Sequence, residues 1–313
     1  MIDLKKITRG KIERQPRVLI YGMDGIGKTS FACGSPDPFV IDANRGSLKH
    51  DVQRVLPDTW EEVNEWLSAV EGGSVKCQTL VLDSLTDLEK MCHSSLFESQ
   101  GTTIAEYMGG FGQGDALVSP EWRRVLAQLE RIWAQGKGIV TVAHSRVQKF
   151  KDPTSQDYDR FVISARDQLA GQLREWNDFV LFAREEVVVA KAKGSVTKAT
   201  TTGVRWAHTR RCPEYDAKAR DSKLFPERVL LSWKDFDAAL RSDNEELRAS
   251  IDEMLSEIGD AKLSATVYEY LKNFPQQLVE SHNRVTSMLE KHRLKQQDGS
   301  QAQPSTQPQG AST

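Results

Sequence analysis

Apolar positions along the chain fall into two alternating patterns. Short continuous apolar runs, "RVLIYG", "PFVIDA", "QTLVLDS", "GIVTVAHS" and "DFVLFARE", read as strands buried on both faces. Between them lie segments whose apolar residues recur three and four apart. "TWEEVNEWLSAVEGG" puts Trp60, Val63, Trp66, Leu67 and Val70 on one helical face, and "LTDLEKMCHSSLFES" reads as a second helix. "SPEWRRVLAQLERIWAQGKG" is predicted to start at Ser119 as cap, with Pro120 in the first turn, and to close at Gly136. Its stripe is Trp122, Val125, Leu126, Leu129, Ile132 and Trp133. Strands separated by helices imply parallel pairing in a sheet covered on both faces, an α/β fold.

The texture changes after Arg184. "EVVVAKAKGSVTKATTTGVRWAHTRR" predicts a β-hairpin with a polar turn region. From about Ser242 the pattern is helical, with "NEELRASIDEMLSEIG" and "LVESHNRVTSMLEKHRL" as its clearest segments. The end, "KQQDGSQAQPSTQPQGAST", is rich in Gln, Ser, Pro and Gly and is expected to be disordered. The expected organisation is a basic arm over residues 1–14, an α/β core over 15–240, a small helical extension over 241–293 and a tail over 294–313.

Composition narrows the function classes. The 313 residues are 39% hydrophobic, enough for a sizeable core, and carry a formal net charge of -2, so any anion site must be local. Cys33, Cys77, Cys92 and Cys212 show no CxxC spacing, which favours reduced thiols over a zinc site. The basic start, Lys5 to Arg17, is followed by no signal-type apolar segment, and no run is long enough to span a bilayer. The expectation is a soluble, cytoplasmic protein without membrane contact.

The first strand ends in the chemically richest stretch. Gly22-Met23-Asp24-Gly25-Ile26-Gly27-Lys28-Thr29, followed by Ser30, fits GxxxxGK[ST] between a strand and a helical segment. Glycines let the backbone wrap so that its N–H groups face a phosphate; Lys28 would reach the β- and γ-phosphates and Thr29 would ligate Mg²⁺. Asp83, ending "TLVLD", is the candidate second carboxylate for the metal, the rival role being a helix cap before Ser84-Leu85-Thr86. His144 ends the fourth strand, where it either senses the γ-phosphate and orients water or is an ordinary strand-end histidine.

Taken in order, these pieces resemble the RecA-like recombinase core, and among its members the phage-encoded ATP-binding proteins of the single-strand annealing or recombination type. "YGMDGIGKTS" is similar to their P-loop, "FVIDANRGS" to the RecA strand running into Asp-Ala-Glu, and "LVLDSLTDL" to its Asp-Ser at Walker B. "EYMGGFGQGD" and "VTVAHSR" resemble further segments of the phage proteins. "WAHTRRCPEYDAKARDSKLFPERVLLSW" resembles their closing region, with Lys218, Arg220 and Phe225-Pro226 at its Lys-x-Arg and turn. The resemblance covers roughly residues 15 to 236 and implies ATP and Mg²⁺ as cofactors. It also implies a sheet in which the His144 strand lies between the P-loop and Asp83 strands. One departure stands out: where RecA carries a water-activating glutamate, this chain has Asn44. An amide does not take a proton as a carboxylate does, so either Asn44 only positions water, or Asp42 serves, or hydrolysis is slow.

The resemblance implies single-stranded DNA as a partner, with a homo-oligomer and a single-strand DNA-binding protein as further expectations. "SRVQKFKDPTSQDYDRFV" mixes Arg146, Lys149 and Lys151 with Phe150, Tyr158 and Phe161, the residue types that single-strand binding needs. The alternative is a solvated hairpin with inward-packed rings. Lys218 or Arg220 is expected on a mobile loop, as a finger completing a neighbour's ATP site. Rival functions are a helicase loader, a packaging-accessory ATPase, or a nucleotide-gated scaffold with little turnover.

Overall fold

A computed structural model of the chain describes residues 14–98, 101–107, 113–152, 156–190, 198–220, 225–241, 244–273, 281–282, 284–289 and 292–293. The basic arm up to residue 13, the tail, most of the glycine-aromatic segment 108–112 and the hairpin turn 191–197 lie outside these residues. The chain divides into two compact units, Met1–Arg220 with Arg228–Asp237, and Asp221–Glu227 with Ala238–Thr313.

The first unit is built on strands β1 (Arg17–Gly22), β2 (Pro38–Asp42), β3 (Gln53–Val55), β4 (Thr79–Asp83), β5 (Gly138–Phe150), β6 (Tyr158–Ile163), β7 (Phe179–Ala190), β8 (Lys198–His208), β9 (Lys218–Ala219) and β10 (Arg228–Leu230). They form one sheet in the order β10-β8-β7-β1-β5-β4-β2-β3, with β6 pairing β5 and β9 pairing β7. From β7 through β1, β5, β4 and β2 to β3, every pair is parallel. The His144-bearing β5 therefore lies between the P-loop strand β1 and the Asp83 strand β4, as the resemblance implied. Each of β1 and β4 is buried along its whole length, which is why both read as unbroken apolar runs.

Helices α1 (Lys28–Cys33), α2 (Trp60–Glu71), α3 (Leu85–Phe97), α4 (Gln113–Ala134), α5 (Asp167–Trp176) and α6 (Trp233–Arg241) accompany the sheet. Val63, Leu67 and Val70 of α2, Leu88 of α3 and Val125, Leu129 and Ile132 of α4 share one core with Leu80, Leu82 and Ile139 from the strands. Trp60 and Trp122 meet there at 5.3 Å between ring centroids.

Three expectations need correction. Helix α4 does not begin at Ser119; it runs from Gln113, with Pro120 inside it. Val118 extends the buried stripe a turn upstream, while Pro120 is exposed, so the hydrogen bond proline cannot make is lost on the solvent side. Strand β5 does not stop near His144 but continues to Phe150 and pairs antiparallel with β6. Strand β7 likewise runs unbroken from the core into the hairpin with β8.

Arg17 fastens one end of the sheet. Its guanidinium donates to Asp178 Oδ2 at 3.1 Å, to Asp178 Oδ1 at 3.0 Å and to Glu130 Oε2 at 2.7 Å. It also lies over the Trp133 ring at 4.1 Å and the Trp176 ring at 4.9 Å. Removing one partner of a buried ion pair strands the other, so Arg17→Ala is expected to cost about 3 kcal/mol, read as a lower denaturant midpoint with unchanged slope. A midpoint within error of the parent would contradict that.

In the second unit, α7 (Asn244–Ile258) and α8 (Ala261–Asn273) pack Ile251, Leu255 and Leu271 with Val285 into a small apolar cluster of their own.

Candidate functional site

Register alone brings the chemistry to one edge of the sheet. Gly22 stands beside His144 across β1 and β5, and Asp42 beside Asp83 across β2 and β4. The loop after β1 turns with Gly25 at φ 74° and Gly27 at φ 111°, conformations that residues with a Cβ rarely adopt. A Cβ on Gly22 would run into the carbonyl oxygen of Ala183 on β7, so glycine is also required at the loop's first position. Met23, Asp24 and Gly25 are exposed at the rim, and Ser30 faces solvent at 3.4 Å from His50 Nε2. Ile26 and Gly27 are half-buried, and α1 begins after Gly27 with no side-chain cap, leaving its first N–H groups available to an anion.

Lys28 is 5% exposed and its Nζ donates to the carbonyls of Gly22 at 3.0 Å and Met23 at 2.8 Å. Burial holds its ammonium below the usual lysine range, against the pull of Asp24 and Asp83. Such a poorly hydrated cation, resting on carbonyls it can exchange, suits a phosphate chain.

Asp83 ends β4 completely buried. It is not the helix cap: Ser84 is, accepting from the Asp87 N–H. Asp83 is thereby free to accept the Thr29 hydroxyl at Oδ2, 2.6 Å away. Burial pushes its carboxyl above the usual range, the Thr29 bond opposes this, and neighbouring Asp42 adds to it. A hydroxyl and a carboxylate in contact are hard oxygen donors that suit Mg²⁺, and the residues present fit that ion.

Asn44 reaches the same spot, with Nδ2 3.4 Å from Asp83 Oδ1. Its Oδ1 accepts the Gly46 N–H at 2.9 Å, and a Cβ on Gly46 would lie 3.2 Å from Thr29 Oγ1. Asp42, the other carboxylate considered as a base, is fully engaged in holding this loop: Oδ1 accepts from Gly46 N at 3.1 Å, and Oδ2 accepts from Ser47 N at 2.9 Å and Ser47 Oγ at 2.6 Å.

His144 Nδ1 lies 2.5 Å from Asp24 Oδ1, an ion-pair distance without the alignment of a hydrogen bond, and Nε2 lies 3.8 Å from Asp87 Oδ2. Asp87 was not singled out in the sequence, although Ser-Leu-Thr-Asp after a strand is a capping signature that marks it. Its carboxyl is held below the usual range by Ser84 and Lys90, which outweigh burial.

Lys218 and Arg220 lie elsewhere. Lys218 belongs to β9, which pairs with β7 at Phe179 and Val180, the opposite end of the sheet from the P-loop. It is not on a mobile loop: its Nζ donates to the carbonyls of Arg174, Glu175 and Asn177 at 3.0, 3.1 and 2.8 Å, closing the C-terminus of α5. Arg220 Nη1 sits 3.1 Å from Asp178 Oδ1, with over half its side chain exposed.

The β5/β6 hairpin spends much of its binding chemistry on contacts within the protein. Phe150 and Tyr158 pack at 5.3 Å, Arg160 lies over Phe150 at 5.5 Å, and Phe161 packs on Phe182 at 5.1 Å. Arg146 pairs with Asp167 at 2.8 Å and Lys149 with Asp157 at 3.5 Å, while Val147 and Lys151 remain exposed.

Among the described residues, no group of three or more His, Cys, Asp or Glu is placed to hold a metal, and no helix is long and apolar enough to cross a membrane. A protein family described as "AAA domain" matches residues 14–220. No curated protein matches the chain. Among solved structures the chain is similar to the RadB recombinase, 14% identical over 62% of this chain and 81% of that one, with a TM-score of 0.37. It is similar also to flagellar accessory protein FlaH from Methanocaldococcus jannaschii, 12% identical over 71% and 86%, with a TM-score of 0.37.

Proposed function

This chain belongs to the AAA-domain family, and on that premise we propose that it is a Mg²⁺-dependent, RecA-like ATPase that turns over slowly and acts on single-stranded DNA. The setting we propose is recombination, annealing or replication, as a phage-encoded factor in the host cytoplasm. The carrying observation is the 2.6 Å contact between Thr29 and the buried Asp83 beside an uncharged Asn44. Lys28 and the P-loop N–H groups bind the phosphates, and Thr29 and Asp83 would hold Mg²⁺, which when bound would supply charge neutralisation at the phosphates. Asn44 orients water without taking its proton, which keeps the rate low.

The link to DNA is mechanical. Strand β5 passes His144 at the ATP edge and continues without a break into the hairpin with β6. The ATP edge and the base of that hairpin thus share one continuous strand. Lys151, exposed on that hairpin, offers a cation to a phosphate backbone, and the sequence resemblance to recombinases supplies the partner class.

Assembly into a homo-oligomer belongs to the same proposal. With the Lys218 donors committed, Arg220 is the cation of that pair that serves a neighbouring subunit's ATP. A single-strand DNA-binding protein is the expected accessory partner.

A second reading, a nucleotide-gated scaffold, is favoured by the pairing of Arg146 and Lys149 with aspartates. The ATPase rate with and without single-stranded DNA separates the two. Stimulation by DNA together with ATP-dependent DNA binding is expected; ATP binding with a rate indifferent to DNA would favour the scaffold.

A further inference from the structure

One cation stands over the P-loop that neither the motif nor the family accounts for. A Cβ built on Gly27 would lie 3.5 Å from Arg205 Nη1 and 3.6 Å from a methyl of Leu231. Arg205 sits on β8, directly opposite Glu185 of β7 in an antiparallel pair, the position at which a cross-strand ion pair is expected. The guanidinium instead extends toward Gly27. It is exposed, and among the described residues no hydrogen bond or ion pair engages it. Its neighbours are not left this way: Arg184 pairs with Glu214 at 2.9 Å, and Arg228 pairs with Glu186 at 3.2 Å and covers the Trp206 ring at 4.3 Å.

The strand is shaped to aim this side chain. The pairing of β7 with β8 shifts register between Glu185 and Val187, and Gly203 in the same stretch has φ 78°. Thr202 Oγ1 donates to Glu186 Oε2 and accepts from Val204 N, both at 3.2 Å, fixing the bulge. Bulges bend a strand and redirect the residues beside them. On its other side the Arg205 carbonyl accepts the Leu231 N–H at 2.9 Å, so Arg205 and Leu231 form one roof over Gly27.

We propose that Arg205 is a phosphate-binding residue acting in cis: its guanidinium closes over the P-loop and binds the polyphosphate of the nucleotide held by the same chain. The inference rests on the ATP-binding reading above and extends it to the β7/β8 hairpin. An arginine without a counterion, beside a loop whose N–H groups gather an anion, finds its partner when the polyphosphate arrives, and its planar fork suits bidentate contact with phosphate oxygens. Because β8 and β10 carry the roof, nucleotide binding also ties the hairpin to the P-loop.

The test is calorimetric titration of the full chain with Mg-ATP, for the parent and for Arg205→Ala, Arg205→Lys and Lys28→Ala. Arg205→Ala is expected to weaken ATP binding about ten- to a hundredfold, the range for losing a charge-assisted contact, with Arg205→Lys in between and the melting temperature unchanged. Equal affinity in the parent and Arg205→Ala would overturn the role of Arg205 while leaving the ATP site standing. A parent chain that binds no ATP would overturn the ATP-binding reading, and this inference with it. Mixing Arg205→Ala with Lys28→Ala chains is expected to restore no hydrolysis, because the parent pairing lies within one chain; recovery would overturn action in cis.

Discussion

Lys28→Ala is expected to lower ATP affinity at least about a hundredfold and to remove measurable hydrolysis. Two physical effects add. The alanine variant has no ammonium at the phosphates, and the cation it loses is one that burial keeps poorly hydrated and therefore strongly attractive to an anion. The same change leaves the Gly22 and Met23 carbonyls without the donor they hold at 3.0 and 2.8 Å, so the loop loses part of its shape. Since β1 beneath it is buried along its length, the core is expected to survive, with a native circular dichroism spectrum. ATP affinity equal to the parent's in a folded Lys28→Ala chain would place the nucleotide elsewhere.

The second large effect is a gain. Asn44→Glu is expected to raise the hydrolysis rate, by up to about 10²–10⁴-fold if the carboxylate acts as general base. The position is exposed, so the longer side chain can extend toward solvent. Gly46 N loses its bond to Asn44 but keeps Asp42 Oδ1 at 3.1 Å, so the loop stays closed. The new carboxylate comes close to buried Asp83, and like charges disfavour ionisation of both; that repulsion raises the basicity of the introduced carboxylate and so favours proton uptake. A rate that stays flat or falls in single-turnover assays would mean that water is activated by another group.

How much of this was legible in the sequence depended on whether the signal was local. The P-loop was legible because positive φ at Gly25 and Gly27 demands glycine whatever the rest of the chain does. The core strands were legible because burial on both faces selects mostly apolar residues, with polar ones such as Arg17, Asp42 and Asp83 at the strand ends. The extension of β5 was not: past His144 both faces meet solvent, so the apolar run ends although the strand does not. The hairpin past Arg184 was legible, but not its continuity with the core strand β7. The start of α4 was misread because Pro120 and Ser119 imitate a helix start, and only the burial of Val118 and Trp122 reveals the turn before it.

The site divides the same way. Gly22, Lys28, Thr29, Asp83, Asn44 and His144 converge at one edge because each lies at or just past the point where parallel pairing ends, where an apolar run stops in the sequence. Lys218 was misjudged because its partners are the closing carbonyls of α5, a helix whose pattern was not recognised. Arg205 carried no signal at all: only the bulge around Gly203 and the pairing of β8 with β7 bring it over Gly27.

In the proposed mechanism, Thr29 and Asp83 form the metal half of an ATP site completed by Lys28. Titration of the full chain with ATP, with and without Mg²⁺, tests this most directly. Saturable binding at one site per chain is expected, strengthened by Mg²⁺ in the parent and no longer strengthened by it in Asp83→Asn. No saturable binding, or binding that Mg²⁺ strengthens equally in both chains, would contradict it.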